Sequence, residues 1–538
     1  MNKIKAISIL LVTFFLTVSC NRNDDGGDNT QTGAKQINNF VWKGLNSWYY
    51  WQKDVANLSD NFGNSNQYVN YVNSKNPDDL FYGLVYDYPN TDRFSWIVDD
   101  VEALQQQFSG ISKDSGMNLS LYYKDTGKVN VVGIINYVVT NSPAAKAGLE
   151  RGDVIDKVTG AAITASNYQQ LFSDNFSVSV AENVSVSSSG VVTSGEKKKV
   201  TLVPVVLEEN PVAYYQKYDI NDKKIGYLVY NGFQSIYNDE LNAAFAQMKQ
   251  DGVKDLVLDL RYNGGGSVES AVALGQMVTG NFTGSPYVIY DFNDKHNKYD
   301  DADNLSDKVN TYNFVNGQTQ NSGTQVINSL GLNKVYVLTS GGTASASELT
   351  IKGLRAYINV VTIGAETYGK FVGSITLYDS PSSDYTSYSG RNTSHKWAMQ
   401  PIVFSYYNGK KEANPTKGGI SPDYAIDSFS YFGTIKQFGN TSDPALAKAL
   451  ELITGTKVTR TASKKSAFSL YDGFLGLTKP LRNLEQKCTS KILKNKFIIY
   501  ESLRLQDLFL EFFLFFFKNI CRLKILLYIC RVNFNFVE

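Results

Sequence analysis

Between Cys20 and Cys488 the 538-residue sequence has no cysteine. That absence excludes a disulfide scaffold or a cysteine-ligated metal site across the body of the chain. Histidine is nearly as scarce: His296 and His395 are the only two, both in polar stretches (NDKHNKYD and RNTSHKWAM) that read as loops. A hydroxyl nucleophile activated by imidazole therefore has few candidates. Excess charge is missing too, with 52 basic against 51 acidic residues and a net charge of +1, so nothing argues for nucleic acid as a partner. The three glycines 264–266 lack the GxxxxGK pattern and its lysine, which argues against a phosphate cradle. No apolar run is long enough to span a bilayer: Ile9 to Leu16 is too short, and so is the aromatic run Phe512 to Phe517. After Gly476 glycine disappears, although the chain holds 42. The tail, 457–538, accordingly reads as a frameshift or read-through segment and not as a domain.

What is present begins with an export signal. Lys3 and Lys5 precede the short apolar run, and Leu16, Thr17, Val18, Ser19 and Cys20 form a loose lipobox. Residues 1–20 are thus expected to be a lipoprotein signal peptide, with lipid attached at Cys20 and the body held in the cell envelope, at the outer membrane, on its periplasmic or outer face. Residues 21–36 are polar and glycine-rich, a tether too poor in apolar groups to fold. With 43% apolar residues, the remainder can bury ordinary cores in several domains. Residues 37–100 read as a small helical domain, with Phe40, Val41, Leu45, Trp48, Tyr49 and Trp51 spaced for an apolar face. Residues 101–207 read as a β-rich domain and 208–456 as repeated strand-helix-strand units, an α/β core. The polar stretch 291–323 is expected to be a long loop or flap over a cleft.

The chemistry concentrates in residues 335–370. Val335 to Leu338 is a short buried strand, closed by Thr339, Ser340, Gly341 and Gly342. The sequence TASASE (343–348) then places small hydroxyl residues and an acid ahead of a helical pattern. Serine there is ordinarily an N-cap. Yet first-turn N–H groups lack intrahelical partners and carry the positive end of the dipole, so Ser345 has stabilisation for an oxyanion close by. Val360 to Ile363 reads as the next strand, and Glu366, Thr367, Tyr368, Gly369 and Lys370 follow it. Loops at the carboxyl ends of neighbouring parallel strands lie side by side, so Ser345 and Lys370 can meet. Burial lowers a lysine's pKa until its neutral amine can take a hydroxyl proton, which makes Lys370 the candidate base. Upstream, Asp259 and Arg261 read as a buried ion pair that fixes a loop.

TASASE, a lysine 25 positions beyond its first serine, and DLRYNGGG at 259–266 together resemble the S41 family of C-terminal processing peptidases. The resemblance spans roughly residues 38–456 and implies a ClpP/crotonase-like α/β peptidase core working by a Ser-Lys dyad. By it, Ser345 is the nucleophile and Lys370 the base, and the backbone at Ala346 and Gly265 forms the oxyanion hole. Neither metal nor other cofactor is implied. Residues 141–155, NSPAAKAGLERGDVI, resemble the helix-and-turn element of PDZ domains. That likeness makes Gly116, Met117, Asn118 and Leu119 the loop for a substrate's terminal carboxylate, with Tyr122 on the adjoining edge strand. The expected partners are polypeptides with free C-termini. Two positions depart from the family pattern. Ala356 stands where many members have Asp, and Ser374 where they have a Gln that orients the lysine; the Ser374 hydroxyl can take over that job. The expected activity is endoproteolysis of unstructured or C-terminal tails of exported proteins, and the alternative is a catalytically weak or inactive peptide-binding lipoprotein.

Overall fold

Alternation along a set of short strands decides the architecture. Tyr227, Val229, Val257, Tyr336, Leu338 and Ile363 share one buried cluster with Ala445, Leu446, Ala449 and Leu450. Their neighbours Leu228, Tyr230, Leu256, Leu258, Val335 and Val337 join the opposite cluster with Leu241, Phe245, Met248 and Leu349. Successive side chains point to opposite faces, so strands apolar at both parities must be covered on both sides. The result is a six-stranded sheet in the order 212–220, 223–230, 255–259, 334–339, 359–364, 424–425. The first pair is antiparallel and the rest are parallel. Helices Asn238–Gln250, Val268–Thr279 and Ala346–Arg355 pack on one face. Helix Pro444–Thr454, capped by the Asp443 side chain, packs on the other.

The structure is a computed structural model that describes residues 35–125, 127–187, 190–426 and 435–456. Cys20, nearly all of the tether and the tail from 457 lie outside the described residues.

Residues 117–202 build a sheet in the order 198–202, 176–180, 154–158, 131–138, 117–123. Met117–Tyr123 is its edge, as the sequence suggested for Tyr122. Ahead of it, helices Gln36–Trp48, Tyr68–Asn73 and Pro77–Leu84 bury Phe40, Val41, Leu45, Trp48 and Tyr49. The 291–323 region differs from expectation. It holds a strand at 302–304 and most of a long hairpin, Lys308–Val315 paired with Gln318–Val326. Asn316 and Gly317 turn it with φ of 52° and 76°, the left-handed pair that a two-residue hairpin turn requires. Its base is fixed by Glu269, which accepts from Asn310 Nδ2 and Tyr312 Oη, both at 2.6 Å. Thr319, near the tip, meets Ser109 at 3.1 Å.

Candidate active site

Ser345 stands at the junction between strand Lys334–Thr339 and helix Ala346–Arg355, as the N-cap residue, with φ 56° and ψ −114°. A serine held at positive φ costs about 1–3 kcal/mol and persists only where its surroundings over-determine it. Here one buried carboxylate does much of that. Glu348, fully buried, accepts the Ser345 N–H at 2.9 Å. It also accepts the Lys370 N–H at 2.8 Å, the Gly369 N–H at 2.8 Å and the Thr367 hydroxyl at 2.5 Å. Burial pushes its carboxyl above the ordinary glutamate value, against the pull of those four donors. The backbones of the two candidate catalytic residues therefore hang from one oxygen, Oε2, of one side chain. Tyr406 Oη adds a second clasp, donating to the Ser345 carbonyl at 3.2 Å and the Lys370 carbonyl at 3.3 Å.

The DLRYNGGG loop closes against this junction. Asp259 and Arg261 form the expected buried ion pair at 2.7 Å, and Arg261 also meets Asp443 at 3.0 Å. Asn263 Oδ1 accepts the Gly265 N–H at 2.9 Å, and its carbonyl accepts the Ala344 N–H at 3.2 Å. Gly265 adopts φ 103°; a Cβ there would sit 2.8 Å from Ser345 Cβ and 3.0 Å from the Ala346 nitrogen. The missing side chain thus leaves open the space beside the first-turn N–H of Ala346. Of the two backbone positions assigned to the oxyanion, Ala346 borders that space, while the Gly265 N–H is held by Asn263.

Ser345, Ala346, Gly265, Lys370 and Ser374 line one cavity of about 540 Å³. Phe233, Leu349, Val372, Ile375 and Phe404 supply apolar wall, and Thr319 of the hairpin reaches it. From the β-rich domain, Asn118 and Tyr137 line the same cavity, as does Glu209, whose carboxylate accepts from Tyr137 Oη at 2.7 Å. The other proposed carboxylate-loop residues sit apart from it. Met117 and Leu119 bury their side chains in the domain core, and Gly116 has φ 86° directly beneath Ser142. Ala356 is buried at the C-cap of the Ser345 helix.

Sequence reasoning passed over Glu348 as a mere helix-start acid, although its spacing three residues after Ser345 is the capping-box signal. It missed Glu209 and the Arg93–Phe94 pair altogether. Phe94 lies 5.5 Å from Lys370 Nζ, a contact across 276 positions that no local pattern announces.

Residues 224–426 match Peptidase family S41, residues 36–96 the Peptidase S41 N-terminal domain, and residues 134–180 the PDZ domain. A probable CtpA-like serine protease of Staphylococcus aureus (strain COL) is 29% identical over 292 residues, 54% of this chain and 49% of the relative. Another, from Staphylococcus haemolyticus (strain JCSC1435), is 26% identical over 243 residues, 45% of this chain and 42% of its own. The chain spans about half the length of the curated relatives it matches. A crystal structure from Bacteroides fragilis NCTC 9343, assigned to the S41 proteases, superposes with a TM-score of 0.57 at 25% identity. That match covers 77% of this chain and 97% of the other. Motif, fold and family match converge: residues 224–426 carry a peptidase family S41 domain, joined to an S41 N-terminal domain and a PDZ domain.

Proposed function

We propose that the protein is a serine endopeptidase working by a Ser345–Lys370 dyad on unstructured or C-terminal tails of exported polypeptides. The observation that carries this reading is the pair of catalytic candidates tied through their own N–H groups to Glu348 and facing one cavity. Ser345 Oγ attacks the scissile carbonyl while the Lys370 amine takes its proton. The Ala346 N–H, at the positive end of its helix, stabilises the oxyanion. Collapse of the tetrahedral intermediate breaks the C–N bond, with Lys370 returning the proton to the leaving amine. Water then hydrolyses the acyl-enzyme by the same route. Gly265 joins the oxyanion hole if an arriving oxyanion displaces its Asn263 contact. Ser374, on the cavity wall, orients the lysine. In the PDZ domain, Gly116, Met117, Asn118 and Leu119 take the substrate's free C-terminus, and Asn118 leads from that edge into the cavity. Ser345→Ala and Lys370→Ala should each abolish cleavage of an unfolded reporter; undiminished cleavage by either variant rejects the dyad.

A second reading, a peptide-binding lipoprotein with a silent peptidase fold, is favoured by the engaged Gly265 N–H and by Ala356 and Ser374. Labelling of Ser345 by a serine-reactive phosphonate would eliminate it. We also place the chain in the cell envelope through lipid at Cys20. Membrane retention of a Cys20→Ser variant would refute that anchor.

A further inference from the structure

The turn that leads from the N-terminal helices to the strand Trp96–Val98 reaches into the active site from outside the peptidase core. Arg93 lies 4.6 Å from the Tyr368 ring centroid and 5.2 Å from that of Phe94, and its Nη2 donates to the Tyr368 carbonyl at 3.0 Å. The Phe94 ring faces Tyr368 at 6.0 Å and stands 5.5 Å from Lys370 Nζ. The Arg93 guanidinium and the Lys370 amine therefore share one phenyl ring. The turn is not free to swing away. Buried Asp92 accepts the Phe94 and Ser95 N–H groups, each at 2.9 Å, and the Tyr49 hydroxyl of the N-terminal domain at 2.7 Å.

We propose that Arg93 and Phe94 are positioning residues that hold the Lys370 amine uncharged at neutral pH, Phe94 by excluding water and Arg93 by its fixed like charge. This rests on the reading of Lys370 as the base. Other groups around the lysine pull in both directions. Glu348, which holds the Lys370 N–H, and Glu209, on the wall of the same cavity, favour the ammonium, as does the weak attraction of a cation to the phenyl face. Lys352, 5.4 Å from the neighbouring Phe371 ring, adds to the opposition, and burial keeps the Tyr406 hydroxyl neutral. Against the two carboxylates, an unopposed lysine stays protonated and cannot accept the serine proton. Arg93 and Phe94 oppose them from the N-terminal domain, so docking of that domain raises the fraction of Lys370 that is neutral and able to act as base.

The test is the pH dependence of kcat/KM on an unfolded reporter, for the full chain. A like charge roughly 10 Å away in a partly solvated site shifts a titration by about half a pH unit. Arg93→Gln should therefore move the acidic limb up by about half a unit and Arg93→Glu by about one, while Arg93→Lys leaves it in place. Phe94→Ala should move it in the same direction, and Phe94→Leu, which restores apolar cover, should return it. Arg93 is exposed, so its variants keep the fold and decide the matter even if Phe94→Ala does not fold. Acidic limbs of Arg93→Gln and Arg93→Glu superimposable on the unaltered protein's would overturn the proposal. Lys370→Ala separates the two layers: if it stays active, the reading of Lys370 as base has failed. If it is inactive while the Arg93 limbs stay put, only the present inference has failed.

Discussion

Glu348 is fully buried and has four donors aimed at its two oxygens. Substituting Gln keeps the shape but turns one acceptor into an NH2 group, which at Oε2 faces the Ser345 and Lys370 N–H groups and at Oε1 the Gly369 N–H, donors from which it cannot accept. Hydrogen bonds to a charged group contribute about 1.5–3 kcal/mol each, and buried donors left unpaired cost a comparable amount. Glu348→Gln should therefore destabilise the protein by about 3 kcal/mol in chemical denaturation. It should also lower kcat at least 100-fold with KM little changed, because the spacing of Ser345 and Lys370 is lost while the cavity wall stays. A variant with unaltered kcat would show that the carboxylate merely caps the helix. The sequence made Ser345 and Lys370 legible because both sit in a short motif. Glu348 was in plain sight three residues from Ser345, but its partners at 367–370 become visible only when two strand ends are placed side by side.

At the scale of elements, the loop 259–266 and the Ser345 helix are fitted backbone to backbone. A Cβ at residue 265 would lie 2.9 Å from the Ala344 carbonyl and 3.0 Å from the Ala346 nitrogen, main-chain atoms with no rotamer to escape into. The φ of 103° is also outside the range that alanine adopts without strain. Gly265→Ala should reduce kcat by about 100- to 1,000-fold, the range for removing an oxyanion donor, while the thermal midpoint falls by only a few degrees. Activity within threefold of the unaltered protein would mean that the oxyanion site lies elsewhere. The flanking strands and helices were readable beforehand, since runs such as Val335 to Leu338 are apolar at both parities and bounded by glycine. The hairpin 308–326 was not, because QTQNSGTQV buries neither face deeply and so carries no period of two. Its Asn316–Gly317 pair is the one local signal of a hairpin turn, and the reading of 291–323 as a polar loop did not use it.

The molecule as a whole depends on how the N-terminal helices are stitched to the peptidase core, since that docking presents Arg93 and Phe94 to the lysine. One histidine sits in that seam among bonds such as Tyr50 Oη to Asp291 and Asn293 Nδ2 to the Ser47 and Tyr49 carbonyls. His296, read from sequence as a loop residue, is 5% exposed and stacks on Trp48 with ring centroids 3.6 Å apart and planes 9° from parallel. Its Nε2 lies 3.0 Å from Ser47 Oγ and 3.5 Å from Asp384 Oδ2, while its Nδ1 is buried without a hydrogen-bond partner. Serine and aspartate meet the same ring nitrogen, so the trio cannot relay a proton as a triad does, where the acid holds Nδ1 and the serine Nε2. Burial, reinforced by Lys298 and Lys295, pulls the imidazole below its ordinary value of 6.5 despite Asp384. The unfolded chain then binds the proton first as pH falls. This seam's stability is complete above about pH 6.5, declines below it and levels off once pH passes the folded-state value. Each unit between the two values is about 1.4 kcal/mol. His296→Phe keeps the stack on Trp48 and removes the titration. Its thermal midpoint should therefore drop less between pH 7 and pH 5 than that of the unaltered protein, by about 2–4 °C for each kcal/mol recovered. If the two midpoints fall in parallel, the acid sensitivity arises at another site, and the docking of the N-terminal domain does not depend on a neutral His296.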